Sequence, residues 1–184
     1  MAVALYGGAF DPPHNGHVAL ARAAEKRFGL PLIVLVSELP AHRAVDLPAD
    51  VRLELARAAF PEDEVRLDPY PRTIDLLRAE RFPDPLFLIG ADEFLDFLGW
   101  KEPQAVLELT RLAVATRPGA PHAAVEDVLR LLEHPERILF FEIEPNAVAS
   151  RDVRALAASG APLDGLVPPG VASLIEERGL YRAD

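Results

Sequence analysis

Cysteine is missing from the 184 residues. Its absence excludes disulfides, a thiolate metal site and a thiol nucleophile, and leaves the redox compartment open. Long apolar runs are missing too: the longest, around Leu32 to Val36, is about seven residues, against the roughly 18 that a membrane-spanning helix needs. No basic segment followed by an apolar one opens the chain, so a soluble, cytoplasmic protein without a membrane partner is expected. Basic charge is scarce as well. With 19 Lys and Arg against 29 Asp and Glu the net charge is −10, which argues against a broad nucleic-acid surface. An anionic ligand would have to be held locally, by a few His, Arg and backbone N–H groups acting against the global field. Repeats, low-complexity tracts and heptads are also lacking, and the length suits one domain with a single buried core, or one domain with a small C-terminal subdomain.

What the chain does contain is concentrated in Gly7-Gly8-Ala9-Phe10-Asp11-Pro12-Pro13-His14-Asn15-Gly16-His17. A strand-like run, Ala2 to Tyr6, precedes it, and a helix-like run, His17 to Phe28, follows. Two adjacent glycines remove Cβ atoms where the backbone leaves the strand, so main-chain N–H groups can approach an anion. His14 and His17 lie one helical turn apart, at a helix start that also carries orphan N–H donors and the positive end of the helix dipole. Either feature alone is explained by a tight turn or a packed histidine. Together they describe a site for a polyphosphate.

This stretch resembles the HxGH nucleotidyltransferase superfamily and, within it, the bacterial nicotinate-nucleotide adenylyltransferases, whose opening motif reads Gly-Gly-Thr/Ser-Phe-Asp-Pro-x-His-x-Gly-His. Ala9 is its one departure, and removes a hydroxyl. Further matches extend the resemblance over nearly the whole chain. Pro40, His42 and Arg43 match a segment that reaches over the ATP phosphates, where the residues alone read as a solvated loop. Gly90-Ala91-Asp92 matches Gly-x-Asp, whose aspartate binds the adenylate ribose; unaided, Asp92 reads equally as the cap of a helix from Glu93. Thr73 matches a threonine that holds the nicotinate carboxylate, though a capping role alone explains it, and Arg72 stands where the family has tyrosine. Trp100, otherwise a core or rim anchor, matches the tryptophan that stacks on the pyridine ring. Arg117 falls in a matching Arg-Pro-Gly segment. Ser150 and Arg154 match the closing Ser and Arg motif, while Ala149 and Arg151 depart from it; by sequence alone this is a surface helix capped by Ser150.

The remaining periodicity supports a βαβ order. Leu32 to Val36, Val65 to Leu67, Leu86 to Ile89, Leu112 to Thr116 and Ile138 to Ile143 read as strands. Helices are expected from Asp50 as cap to Ala59 with Val51, Leu55 and Ala59 inward, from Thr73, from Pro103 to Leu109 and near Ala123 to Leu132. Glu62-Asp63-Glu64 reads as a solvated turn. The fold expected is an α/β doubly wound, mostly parallel sheet, a single nucleotidyltransferase domain over 1–184 with residues 146–184 as a C-terminal helical subdomain.

The resemblance implies transfer of AMP from ATP to nicotinate mononucleotide, giving deamido-NAD and pyrophosphate. It assigns His14, His17, His42, Arg43 and Arg154 to the catalytic machinery. Gly7, Gly8, Ala9, Phe10, Gly16, Gly90, Asp92 and Ser150 go to ATP, and Thr73, Trp100 and Arg117 to the mononucleotide. The acceptor phosphate is already a nucleophile, so positioning and charge stabilisation carry the reaction, with Mg²⁺ held mainly by ATP phosphates and water. Rival readings are another HxGH transferase, acting on nicotinamide mononucleotide or a phosphopantetheine acceptor, and a non-catalytic nucleotide sensor. A dinucleotide-dependent dehydrogenase is disfavoured, because the first turn lacks Gly-x-Gly-x-x-Gly.

Overall fold

In the computed structural model, which describes residues 1–40, 44–117, 122–144 and 148–182, β1 (Val3–Gly8) lies at the centre of the sheet. It pairs in parallel with β2 (Leu32–Ser37) on one side and β4 (Pro85–Gly90) on the other. Beyond these lie β3 (Glu64–Asp68), then β5 (Arg111–Thr116) and β6 (Ile138–Glu142). The order is β3-β2-β1-β4-β5-β6, every pairing parallel. The chain winds outward from β1 in both directions, so the strand order reverses between β1 and β4. A crevice opens at such a point because the crossovers leaving the two strands diverge to opposite faces.

Strand sequences that read as unbroken apolar runs are divided by the pleat into two cores. Ala4, Tyr6, Val34, Val36 and Leu88 pack on one face. Val3, Leu5, Leu35, Phe87 and Ile89 pack on the other. The first face is covered by α1 (Asn15–Phe28) and α2 (Ala49–Ala59). It also takes α7 (Ser150–Ala158) and α8 (Pro169–Glu177), through Val153, Ala157, Val171 and Ile175. The second face is covered by α3 (Thr73–Ala79), α4 (Ala91–Leu95), α5 (Pro103–Leu109) and α6 (His122–Arg130). One turn of 3-10 helix, Phe97–Gly99, joins α4 to Trp100. Among the described residues no helix is long and apolar enough to cross a membrane.

Helix starts are where the expectations need correction. Asp50 is not the cap of α2: Pro48 holds that place, and Asp50 lies inside the first turn, where its charge faces the positive end of the helix dipole. Arg52, and not Val51, heads the inward stripe, with Leu55, Ala56 and Ala59. Thr73 and Ser150 are first helical residues rather than caps, preceded by Arg72 and Ala149, and Asp92 is the second residue of α4, behind Gly90. Glu62-Asp63-Glu64 is not wholly solvated. Asp63 pairs with Arg22 at 2.6 Å with its side chain 8% exposed, and Glu64 opens β3.

Candidate active site

The end of β1 and the turn after it are packed against two aromatic rings. A Cβ on Gly7 would come within 3.0 Å of the Phe87 ring, and one on Gly8 within 3.0 Å of the Phe10 ring. The two glycines therefore admit aromatic side chains as well as leaving backbone exposed. Phe10 itself adopts φ 50°, an uncommon and strained value for a residue with a Cβ. Its ring is buried edge-on against Tyr6, Phe60 and His17, with centroids 5.5, 6.0 and 5.2 Å away. The Phe10 side chain thus buttresses His17.

The two histidines cap α1 reciprocally. His14 is the cap residue: its Nδ1 accepts from the Gly16 N–H at 3.1 Å, and its own backbone N–H donates to His17 Nδ1 at 3.1 Å. This arrangement places imidazoles where a capping box ordinarily uses a hydroxyl and a carboxylate. It also decides the tautomers, because a ring nitrogen that accepts a hydrogen bond carries no proton. Both rings then bear their proton on Nε2 and serve as neutral donors. The rings lie face to face, centroids 3.7 Å apart and tilted 31°. Burial lowers the His14 pKa from 6.5 to about 4, so His14 stays neutral at physiological pH.

Two cavities meet at this turn, both bounded by Gly7, Gly8 and Ala9. The larger, about 870 Å³, is bordered by Phe10, His14, Gly16 and His17 on one side. Gly90, Asp92 and Arg117 border it at the ends of β4 and β5, and Ser150 and Arg154 from α7. The smaller, about 620 Å³, is lined by Pro40, Arg72, Thr73, Trp100 and Lys101. The indole of Trp100 is held edge-on to Phe97 and Phe87 at 5.2 and 6.3 Å. Thr73 and Trp100 therefore share one cavity, whereas Arg117 borders the other. His42 and Arg43 lie outside the described residues.

Three residues that the sequence reading assigned no role hold the larger cavity together. Asp11, 4% exposed, accepts the Tyr181 hydroxyl at 2.8 Å on one carboxylate oxygen and the Asp46 N–H on the other. Its backbone carbonyl accepts from Arg154 at 2.7 Å, and Arg154 also pairs with Asp46 at 2.8 Å. The Ser150 hydroxyl donates to the Pro12 carbonyl at 2.8 Å. Burial, with the Asp11 charge beside it, raises the Tyr181 pKa, so its phenol is a committed donor. Arg52, the third, donates to the Ala9 carbonyl at 2.7 Å. A signal existed only for Arg52, an arginine in register with Leu55, Ala56 and Ala59. For Asp11 and Tyr181, 170 residues apart, no local pattern carries the pairing.

The Tyr181 contact makes a stability prediction. Tyr181→Phe deletes one hydrogen bond to a charged acceptor while Asp46 still serves the second oxygen, so the loss should be about 1.5 kcal/mol. That corresponds to a fall of roughly 4 °C in Tm. An unchanged melting curve would show that the tail is not anchored through Asp11.

The chain matches the cytidylyltransferase-like family model over residues 5–156. It is 34% identical to a probable nicotinate-nucleotide adenylyltransferase of Rubrobacter xylanophilus, covering 100% of this chain and 94% of the relative. It is equally 34% identical to a protein of the same name from Thermus thermophilus, over 99% and 100% of the two chains. In architecture it resembles the Plasmodium falciparum nicotinic acid mononucleotide adenylyltransferase complexed with NaAD, with a TM-score of 0.73, 15% identity, and coverage of 98% of this chain and 97% of that one. A family model spanning most of the sequence and end-to-end similarity to these relatives place the chain in the cytidylyltransferase-like family and, within it, among the nicotinate-nucleotide adenylyltransferases.

Proposed function

We propose that this protein transfers the adenylyl group of ATP to nicotinate mononucleotide, forming deamido-NAD and releasing pyrophosphate. The observation that carries this reading is the pair of cavities sharing Gly7, Gly8 and Ala9, one bordered by paired imidazoles and the other by an indole. Two substrates seated in them would bring a nucleophilic phosphate and a triphosphate together over one turn. Names borne by full-length relatives point to the same reaction.

In this reading ATP occupies the larger cavity. The adenylate ribose lies near Gly90 and Asp92, and the phosphates lie across Gly7, Gly8, Ala9 and Phe10 to the helix start at Gly16. His17 donates from Nε2 to the α-phosphoryl oxygens as the acceptor phosphate attacks phosphorus and the bond to pyrophosphate breaks. The acceptor phosphate is anionic at neutral pH, so no side chain has to remove a proton. His14, Arg154 and, from the segment beyond Pro40, His42 and Arg43 hold the departing phosphates. Arg154 first exchanges its Asp46 partner for phosphate, which needs little movement because Ser150 keeps the start of α7 against Pro12. An Mg²⁺ ion carried by ATP would supply charge neutralisation at the phosphates. Asp92 and Glu93 border the same cavity without forming a three-carboxylate cluster among the described residues, a donor set that suits an ion carried by phosphate and water oxygens.

The mononucleotide occupies the smaller cavity, its pyridine ring against Trp100 and its carboxylate towards Thr73 at the head of α3. Arg117 borders the larger cavity and acts on the mononucleotide only where the two meet. Trp100→Ala should raise KM for the mononucleotide about tenfold, since aromatic stacking on a heterocycle contributes roughly 1–3 kcal/mol. KM for ATP should stay within about twofold. An equal rise in both would place Trp100 in the scaffold and not against the ring.

Pyrophosphate release tests the activity directly, with ATP and nicotinate mononucleotide, nicotinamide mononucleotide or 4′-phosphopantetheine as acceptors. Turnover with the nicotinate acceptor and formation of deamido-NAD are expected. Preference for either other acceptor transfers the protein to a different branch of the family, and ATP binding without turnover identifies a sensor.

A further inference from the structure

Arg52 is 1% exposed, and among the described residues the hydrogen-bond partners of its guanidinium are backbone carbonyls rather than carboxylates. Nε donates to the Leu47 carbonyl at 3.0 Å, one terminal nitrogen to the Ala9 and Ser37 carbonyls at 2.7 and 2.8 Å, and the other to the Glu38 carbonyl at 3.3 Å. These carbonyls come from the turn after β1, the end of β2 and the approach to α2. Burial lowers the Arg52 pKa, and Asp11 is the first opposing charge. A leucine in register with Leu55 and Ala59 would fill this place without desolvating a charge, so hydrophobic packing alone does not account for arginine here.

The consequence of these bonds follows from peptide geometry. In a trans peptide the carbonyl and the next N–H point in opposite directions, so fixing the Ala9 carbonyl fixes the Phe10 N–H. Phe10 is also the residue at φ 50°, and a conformation of that kind persists only where its surroundings over-determine it. Ser37, Glu38 and Leu47 lie on either side, in sequence, of the segment that carries His42 and Arg43, and are tied to the same guanidinium.

We propose that Arg52 is a positioning residue for ATP: its guanidinium fork sets the direction of the Ala9–Phe10 amide and holds a positive charge behind the phosphate turn. This rests on the placement of ATP in the larger cavity.

Two variants and one measurement on the unaltered protein test it. R52K keeps a charge but has no fork, and R52M keeps neither. Assayed well below its own Tm, R52K should show roughly 10²-fold lower kcat/KM for ATP, in line with the cost of misplacing a reacting group by about 1 Å, with KM for the mononucleotide within about twofold. R52M should lose more, and millimolar guanidinium chloride should restore part of its activity. Calorimetric binding of a non-hydrolysable ATP analogue should weaken in the same order, and this readout holds even if no acceptor supports turnover. In the wild-type protein, the Arg52 Nε–H and Phe10 N–H NMR resonances should shift on adding the analogue and not on adding nicotinate mononucleotide. Variants that melt earlier but keep kcat/KM for ATP within about twofold, equal losses for both substrates, or static resonances would each overturn the proposal.

Discussion

Replacing His17 with alanine is expected to lower kcat about 10²–10³-fold while changing KM for ATP by less than about threefold, the pattern of a donor whose hydrogen bond matters only as charge builds on the reacting phosphoryl group. His17 Nδ1 is occupied by the His14 backbone N–H, which leaves the proton on Nε2. A neutral donor preset in this way has no reorganisation to undergo at the moment of reaction. His17→Gln, which can still donate, should recover part of the loss; His17→Phe should not. Pre-steady-state pyrophosphate release separates the chemical step from product release. If ATP affinity and kcat fall together, His17 is a binding residue and the role assigned to it is wrong.

Acidification should destabilise the free protein through His14. Its folded pKa of about 4 lies below the ordinary 6.5 because burial penalises the imidazolium. Between these values the unfolded chain binds a proton that the folded chain refuses. The contribution is fully present above pH 6.5 and is lost as pH falls towards 4. Each unit corresponds to about 1.4 kcal/mol, which makes the loss about 2 kcal/mol at pH 5. Denaturant unfolding at pH 7.5 and pH 5 measures it, and His14→Asn is the control: asparagine still caps the helix and does not titrate. The parent should lose about 2 kcal/mol more than this variant. Parallel losses would mean that His14 is protonated in the folded protein, and that its Nδ1 does not accept from Gly16.

These two histidines also show how far local sequence reaches. Their spacing, the glycines before them and the strand and helix on either side are local features, and from them alone a phosphate site is expected here. That both rings accept backbone N–H groups at the start of α1 was not legible, because Ser, Thr, Asp and Asn are the usual cap residues and nothing in an His-x-Gly-His string requires ring-to-backbone bonds. Asp50, Thr73, Asp92 and Ser150 failed as caps for the converse reason. Each has a capping side chain, but the backbone leaves its extended conformation one or two residues earlier, and in the case of Ser150 the hydroxyl finds Pro12 instead.

What the sequence determined by itself is whatever depends on neighbours along the chain: the alternation of strand and helix, the parallel α/β class, the glycine turn, and the residues able to meet a phosphate. Tertiary structure alone decided which of them share a cavity. It put Arg117 on the same cavity as His14 and His17 and left Trp100 with Thr73 on the other, tied Tyr181 to Asp11, and buried Arg52 behind Ala9. Such contacts join residues tens to hundreds of positions apart, and their energies exist only once the sheet has set strands that are distant in sequence side by side.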